Sequence, residues 1–320
     1  MESHGASARL PQAGDPFEPI VVNRPGRHLA SPFKVVAFNA LGCPNPQAVA
    51  ELLRRPPLAG AAIILLSEAD WGLSRSRACK SAAELADLLE MSFAYSPEFA
   101  FRRGQGEFRS FFGNAILAAA PLEKVRFVPL QVFYDWTKRR RWKLAPETAT
   151  TKLGQRGAVA AEVHFGERSL SLATAHLENR VAPQGRARQM AQLLGALPSS
   201  GPAVVGGDLN TATINVNDSR ECAAMLARMP LHPHRLRAPE PYEPLFEVLE
   251  RAGFEYRQAN PPLAPTFTPT GLLPRFMRAK LDWIGLRGLN AVPGSARVVP
   301  ARLGLKRLSD HDFVVCDFTF

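Results

Sequence analysis

Apolar residues along the chain gather into short dense runs, each closed by polar ones. Residues 33–38 (FKVVAF) are β-branched and aromatic and stop at Asn39 and a Gly42, Pro44, Pro46 cluster, which predicts a buried strand ending in a polar loop. Residues 61–66 (AAIILL) repeat the pattern and run into Ser67, Glu68 and Asp70. Residues 48–55 look helical. So do residues 81–90, where Leu85, Leu88 and Leu89 share a stripe and Ser81 with Glu84 forms a capping-box pattern. The early chain therefore reads β-α-β-α.

From residue 111 the runs at 114–117, 125–130, 158–164 and 169–175 leave no room for helices between them, so antiparallel pairing is predicted. A helix at 184–197 follows, then a strand at 203–205 that runs into Gly206-Gly207-Asp208-Leu209-Asn210. A polar, proline-rich insertion fills about 213–241. Next come a helix at 244–252, with Pro at its first turn and Gly253 past its end, and strands at 281–286 and 313–320. Arg186 and Arg188 are expected on a helix surface, and Trp283 in the packing.

No repeat or linker divides the chain, so one domain over 31–320 is expected after an extended, flexible arm at 1–30. The arm holds Pro11, Pro16, Pro19 and Pro25 and lacks the apolar stretch of a secretory signal. The longest apolar runs fall well short of the roughly 20 residues that span a bilayer, so no transmembrane segment is expected. Cys43, Cys79, Cys222 and Cys316 stand singly without C-x-x-C spacing, which argues against a zinc site or a disulfide scaffold and for a cytoplasmic protein.

Composition fits a globular chain, with 46% hydrophobic and 21% charged residues among 320. The net charge of +10 is local: residues 138–156 carry seven cations against one acid, and 270–309 carry eight against one. That points to a polyanionic partner such as nucleic acid or acidic lipid headgroups. The segment Lys138-Arg139-Arg140-Arg141-Trp142-Lys143, near Trp136, reads either as a phosphate-tracking loop with stacking aromatics or as a solvated hairpin tip. Gly104-Gln105-Gly106 lacks the third glycine of a dinucleotide loop, so no nucleotide cofactor is expected.

The candidate chemistry sits at strand ends: Asn39, Glu68, His176 with Glu178 and Asn179, Asp208 with Asn210, Asp282, and Asp310 with His311. In a sheet sandwich such ends converge on one rim, where carboxylates, amides and imidazoles could share a cleft. Oxygen ligands without cysteine favour Mg²⁺, or Mn²⁺, over structural zinc, and metal-assisted attack of water on a phosphate ester fits best. Asp70, two residues beyond Glu68, is a competing carboxylate.

The ordered set F-N at 38–39, L-S-E at 66–68, G-N-A-I-L at 113–117, T-A-H-L-E-N at 174–179, G-G-D-L-N-T at 206–211, L-D-W-I at 281–284 and S-D-H at 309–311 resembles the endonuclease/exonuclease/phosphatase superfamily. This group contains DNase I-like nucleases, AP endonucleases, neutral sphingomyelinases and inositol polyphosphate 5-phosphatases. One such motif is weak, but seven in order are strong. The resemblance spans about 33–320 and implies an α/β fold, a four-layer α/β/β/α sandwich of DNase I-like type. It implies metal-site residues Asn39, Glu68 and Asp310, a water-activating Asp208 with Asn210 beside it, and a His311–Asp282 dyad. It further implies phosphoryl donors His176 and Asn179, with Asn114 bracing or binding phosphate. Ser67 and Phe38 stand where Gln and Trp are usual, Phe313 where Pro is frequent, and His176 where AP endonucleases carry Tyr; no ligand is removed.

The resulting expectation is a Mg²⁺-dependent phosphoesterase, a phosphodiesterase or nuclease first. Lipid or inositol-phosphate hydrolysis on the same fold is the alternative, and a catalytically silent nucleic-acid or protein-binding scaffold the rival from another class. Oligomeric state stays open.

Overall fold

Side chains on a strand alternate between faces, so each apolar run above can feed two cores at once. The computed structural model, which describes residues 17–26, 29–103, 107–137, 150–269 and 277–320, shows this sorting. Its elements are β1 (Ile20–Val22), β2 (Phe33–Gly42), α1 (Pro46–Leu53), β3 (Ala61–Trp71), α2 (Ser81–Leu89), β4 (Ser92–Arg103) and β5 (Ser110–Ala118). There follow β6 (Glu123–Pro129), β7 (Thr150–Gly154), β8 (Gly157–Phe165), β9 (Arg168–His176), α3 (Pro183–Gly195) and β10 (Ala203–Asp208). The C-terminal part adds α4 (Ser219–Arg228), α5 (Leu245–Arg251), β11 (Asp282–Arg287), β12 (Asn290–Ala291), β13 (Arg297–Val299), β14 (Arg302–Leu303), β15 (Lys306–Arg307) and β16 (Phe313–Thr319).

One sheet runs β1-β4-β5-β3-β2-β16-β12, with β7 on β4 and β13 on β16; the other runs β11-β10-β9-β8-β6. In β2, Val35 and Ala37 face the second sheet while Val36 and Phe38 face α1 and α2. In β9, Leu170 and Leu172 face inward while Ala173 and Ala175 pack under α3 and α5. The result is two sheets between flanking helices, as the motifs imply. The β-α-β crossovers give parallel pairs, β2 with β3 and β9 with β10, whereas β8 with β9 and β4 with β5 are antiparallel.

Several local expectations change. Ser81 is the first helical residue of α2, not its cap: its hydroxyl donates inward to Gly42 O at 2.7 Å, and Lys80 occupies the cap position. Glu84 still accepts the cap residue's N–H, from Lys80 at 3.0 Å. The 213–241 insertion contains α4, capped by Asp218. Arg186 is buried rather than on the surface, bonded through two nitrogens to Glu243 at 2.6 and 3.1 Å; Arg188 is exposed. Within the expected arm, residues 20–22 pair with β4. The 138–143 basic segment, Arg275, the Gly104–Gly106 run and residues 1–16 lie outside the described residues.

Candidate active site

The inward-facing positions of each central strand start as core and end as chemistry. Val35 and Ala37 lead to Asn39; Ile63 and Leu65 lead to Ser67; Leu170, Leu172 and Thr174 lead to His176; Val204 and Gly206 lead to Asp208. In the antiparallel β5 and β11 the order is reversed, so Asn114 precedes Ile116 and Asp282 precedes Ile284. Register puts these ends at one level: Asn39 opposite Ser67, and Asp208 opposite both His176 and Asp282. A period of two therefore lines one edge of the inter-sheet space with polar groups.

Glu68 reaches this edge by breaking the period. The pairing of β3 with β5 slips between Leu66 and Ala69, and Glu68 sits at φ 56°, a left-handed conformation that costs a non-glycine residue about 1–2 kcal/mol. The slip turns its carboxylate toward Asn39, whose Nδ2 donates to Glu68 Oε1 at 3.3 Å and to Asp208 Oδ2 at 2.9 Å. Asn39 Oδ1 accepts from Leu41 N at 3.1 Å, so this amide orients two carboxylates. Asp70 is held apart by the Arg75 guanidinium at 2.6 and 2.8 Å. Burial raises the Glu68 pKa, Asp310 adds to the rise, and Arg156, His311 and Asn39 oppose it.

Ser67, in place of the usual Gln, ties the sheets together: its hydroxyl donates to Ala175 O at 3.3 Å and accepts from Asp208 N at 3.2 Å. Asp208 Oδ1 accepts from Asn210 N at 3.0 Å, and Asn210 Nδ2 donates to Leu177 O at 2.8 Å. Asn210 takes the left-handed turn at φ 50°, which its short amide tolerates. Burial pushes the Asp208 carboxyl up to about 7, with Asp282 adding to the rise and His311 and Asn39 opposing it.

Two histidines face Asp208 Oδ2, His176 Nε2 from 3.5 Å and His311 Nε2 from 3.7 Å, and their charge states differ. His176 is buried, and burial, reinforced by Arg156 and His311, holds its pKa well below 6.5. Arg156 Nη1 lies 2.9 Å from His176 Nδ1; a guanidinium can only donate, so Nδ1 accepts and the imidazole proton is on Nε2, toward the cleft. Burial alone would lower His311 too, but Asp282 and Asp208 carry it up to about 10. Asp282 Oδ2 meets His311 Nδ1 at 2.6 Å and accepts from Thr266 Oγ1 at 2.6 Å. Environments that drive two imidazoles apart mark an acid–base site.

A cavity of about 640 Å³ opens on this edge, with Glu68, His176, Asp208, Asn210, Asp310 and His311 at its polar end and Asn179 beside them. Asn179 Oδ1 is buried there with no hydrogen-bond partner among the described residues. Asn114 is placed differently: it is buried off the cavity wall and donates to Gly157 O at 3.0 Å. Thus the structure gathers every expected site residue except Asn114 around one cavity or directly behind its wall, where Asn39 and Asp282 stand.

Sequence reasoning missed the support layer. Arg156 joins His176 to Glu98, whose other carboxylate oxygen accepts from Gly157 N at 3.0 Å; burial lifts Glu98 up to about 7. Trp136 donates to Glu178 at 2.7 Å, and Thr266 holds Asp282. These partners are 16 to 59 residues apart in sequence, and no local spacing signals them.

A divalent cation would find hard oxygen donors in Glu68 and Asp310, and the raised pKa of Glu68, with Asp310 contributing, is the strain a cation relieves. Ligand atoms of Asp208, Asp282 and His311 also lie within 4.8 Å of one another. Asp282 Oδ2 is already engaged by His311 and Thr266.

Known proteins bear on this arrangement. The chain matches the family model described as Endonuclease/Exonuclease/phosphatase family over residues 36–311. No curated protein matches it in sequence. Among solved structures it is similar to an endonuclease/exonuclease/phosphatase from Beutenbergia cavernae (16% identity, TM-score 0.57, covering 90% of this chain and 71% of that one). It is also similar to the human Nocturnin catalytic domain with bound sulfate (17%, 0.57, 94% and 97%). A third is D. rerio TDP2 complexed with single-strand DNA product (14%, 0.51, 91% and 100%). At these identities the structures speak for the fold alone, while the family match spans most of the sequence and contains all seven motifs. The chain belongs to the endonuclease/exonuclease/phosphatase family.

Proposed function

We propose that the protein is a divalent-cation-dependent phosphodiesterase. The observation that carries this reading is Asp208 Oδ2 facing a neutral His176 and a cationic His311 from 3.5 and 3.7 Å. Asp208, fixed by Asn210 N and Asn39 Nδ2, takes the proton of the attacking water as the water oxygen bonds to phosphorus and the ester P–O bond breaks, its electron pair leaving on the alcohol oxygen, which takes a proton from solvent. His176 Nε2–H and the His311 imidazolium donate to phosphoryl oxygens, meeting the negative charge that grows there. Asp282 keeps His311 protonated and oriented, and Arg156, donating to Nδ1, holds His176 in its neutral Nε2–H tautomer. Asn179 adds a polar group at the rim, and Asn114 braces Gly157 behind it. Glu68 and Asp310 would hold Mg²⁺, or Mn²⁺, with Asn39 orienting Glu68. Such an ion would supply Lewis-acid stabilisation of the negative charge that develops during hydrolysis.

Nucleic acid is the second reading, motivated by the net charge of +10 and by cations on aromatic rings beside His176: Lys152 on Phe99 and Trp136, and Arg180 on Trp136. Among the described residues no helix is long and apolar enough to cross a membrane. All four cysteines are free, which suits a reducing, cytoplasmic setting.

The test is release of nitrophenolate from bis(4-nitrophenyl) phosphate with Mg²⁺ or with EDTA, beside a DNA, RNA, sphingomyelin and inositol-phosphate panel. Asp208→Asn should lower kcat by about 10²–10⁴ with circular dichroism unchanged. A variant that keeps wild-type turnover would place the base elsewhere.

A further inference from the structure

Past its catalytic end the cavity becomes apolar. Its far wall is formed by Ile214, Met225, Leu226, Leu236, Phe267 and Met277. Ile214, Met225 and Leu236 form a small hydrophobic cluster of their own with Ala279 and Leu281, apart from the three cores of the sandwich. The wall is therefore built by the 213–241 insertion with Phe267, Met277, Ala279 and Leu281, and it adjoins the histidines rather than the sheet interior. Among the described residues, none of the lining side chains is a lysine or an arginine.

From this juxtaposition we infer that the substrate is an amphiphile: a phosphodiester with one anionic phosphate and an alkyl arm that lies in the apolar chamber. The inference rests on the phosphodiesterase reading and specifies its substrate class. A nucleic-acid strand laid through the chamber would bring further phosphates against a wall whose described residues include no cation, whereas its binding energy comes from neutralising each one. Arg156, the cation that touches His176, is buried on Glu98 and His176 and so is not free for a further phosphate. The chamber wall suits a flexible chain, since two of its members are methionines, whose unbranched thioethers adapt to variable apolar shapes. The whole cavity, catalytic end and chamber together, has a volume within the range of small-ligand sites. Burying alkyl carbon there recovers the transfer free energy of each methylene, which fixes the phosphate against Asp208 by its own tail.

The test uses the full chain with Mg²⁺ and 4-nitrophenyl alkyl phosphodiesters from methyl to decyl, all below micelle-forming concentration. We expect kcat/KM to rise about two- to fourfold per methylene until the chamber is filled. Leu226→Lys, at a position already 42% exposed and so tolerant of change, should cut the decyl-to-methyl ratio at least tenfold. Turnover of the monomeric series alone identifies a free amphiphile; turnover also of phosphatidylcholine in vesicles identifies a membrane lipid, and both support the inference. Calorimetric binding of decyl phosphate against methyl phosphate gives a readout independent of turnover. A chain-length gradient in binding without any hydrolysis would keep the chamber's ligand and remove the phosphodiesterase reading. Hydrolysis with a flat chain-length profile, above all with cleavage of an oligonucleotide, would overturn the amphiphile and leave the phosphodiesterase standing.

Discussion

Glu68 shows how a single residue carries both strain and function. Its left-handed backbone, at φ 56°, and its buried carboxylate both oppose folding, and both exist because the β3 slip aims an oxygen into the cleft. The two costs separate by substitution. Glu68→Ala and Glu68→Gly each remove the carboxylate, but only glycine also relieves the backbone, so Glu68→Gly should be more stable by about 1–2 kcal/mol in urea unfolding. Both should lose any stabilisation by Mg²⁺. Equal stability of the two variants would mean that the backbone at this position carries no strain. The motif L-S-E identifies Glu68 as a candidate, but its φ cannot be read from the motif, because the slip depends on how β3 meets β5.

At the level of elements, what was legible follows from where each element's partners lie. Strands such as β2, β3 and β9 are apolar on both faces because each face meets a core, so composition alone reveals them. β4 was missed: Pro97 and Glu98 interrupt its apolar pattern, and the chain accommodates Glu98 only because Arg156 and Gly157 N arrive from far along the sequence. α4 was missed because only Met225 of its ten residues is buried, leaving almost no helical stripe. The G-G-D-L-N motif was legible as a site, yet its second glycine has a structural task that spacing does not reveal. Gly207 has φ 114°, and a Cβ there would lie 2.4 Å from Ala175 O, 2.8 Å from Thr174 Oγ1 and 2.9 Å from Ser67 Oγ. Gly207→Ala should destabilise by more than about 1 kcal/mol and displace Asp208, lowering turnover. Gly195, at the end of α3, has open space around its Cβ position, and Gly195→Ala should stabilise by about 0.5–1 kcal/mol. Urea midpoints of the two variants should therefore shift in opposite directions; a shift of the same sign would contradict the assignment of Gly207.

On the scale of the molecule, the site is where the two sheets meet without a hydrophobic core between them. Asn39, Glu68 and His311 come from or beside one sheet, and His176, Asp208 and Asp282 from the other, so several buried ionisable groups occupy the seam that joins them. Their linkage to folding has a definite sign. Asp208, raised to about 7 chiefly by burial, contributes stability that is complete below the ordinary carboxylate range and is lost as pH rises through about 7. Glu68 is raised in the same sense, and His311, held up to about 10, loses its contribution between about 6.5 and 10. His176, lowered well below 6.5, opposes them only below that pH. Without a divalent cation, the Tm should therefore fall from pH 6.5 to pH 8.5. Mg²⁺ should reverse that fall, because it replaces the protons that the carboxylates give up. At a hundred times its Kd it adds about 2.7 kcal/mol, or about 5 °C in a chain of this size. At pH 5.5, where protons compete for the same oxygens, the shift should vanish. Differential scanning fluorimetry at the three pH values, with Mg²⁺ or EDTA, measures it, and Glu68→Gln serves as the control. An identical Mg²⁺ shift in wild type and Glu68→Gln would mean that the ion stabilises the protein from somewhere other than this seam.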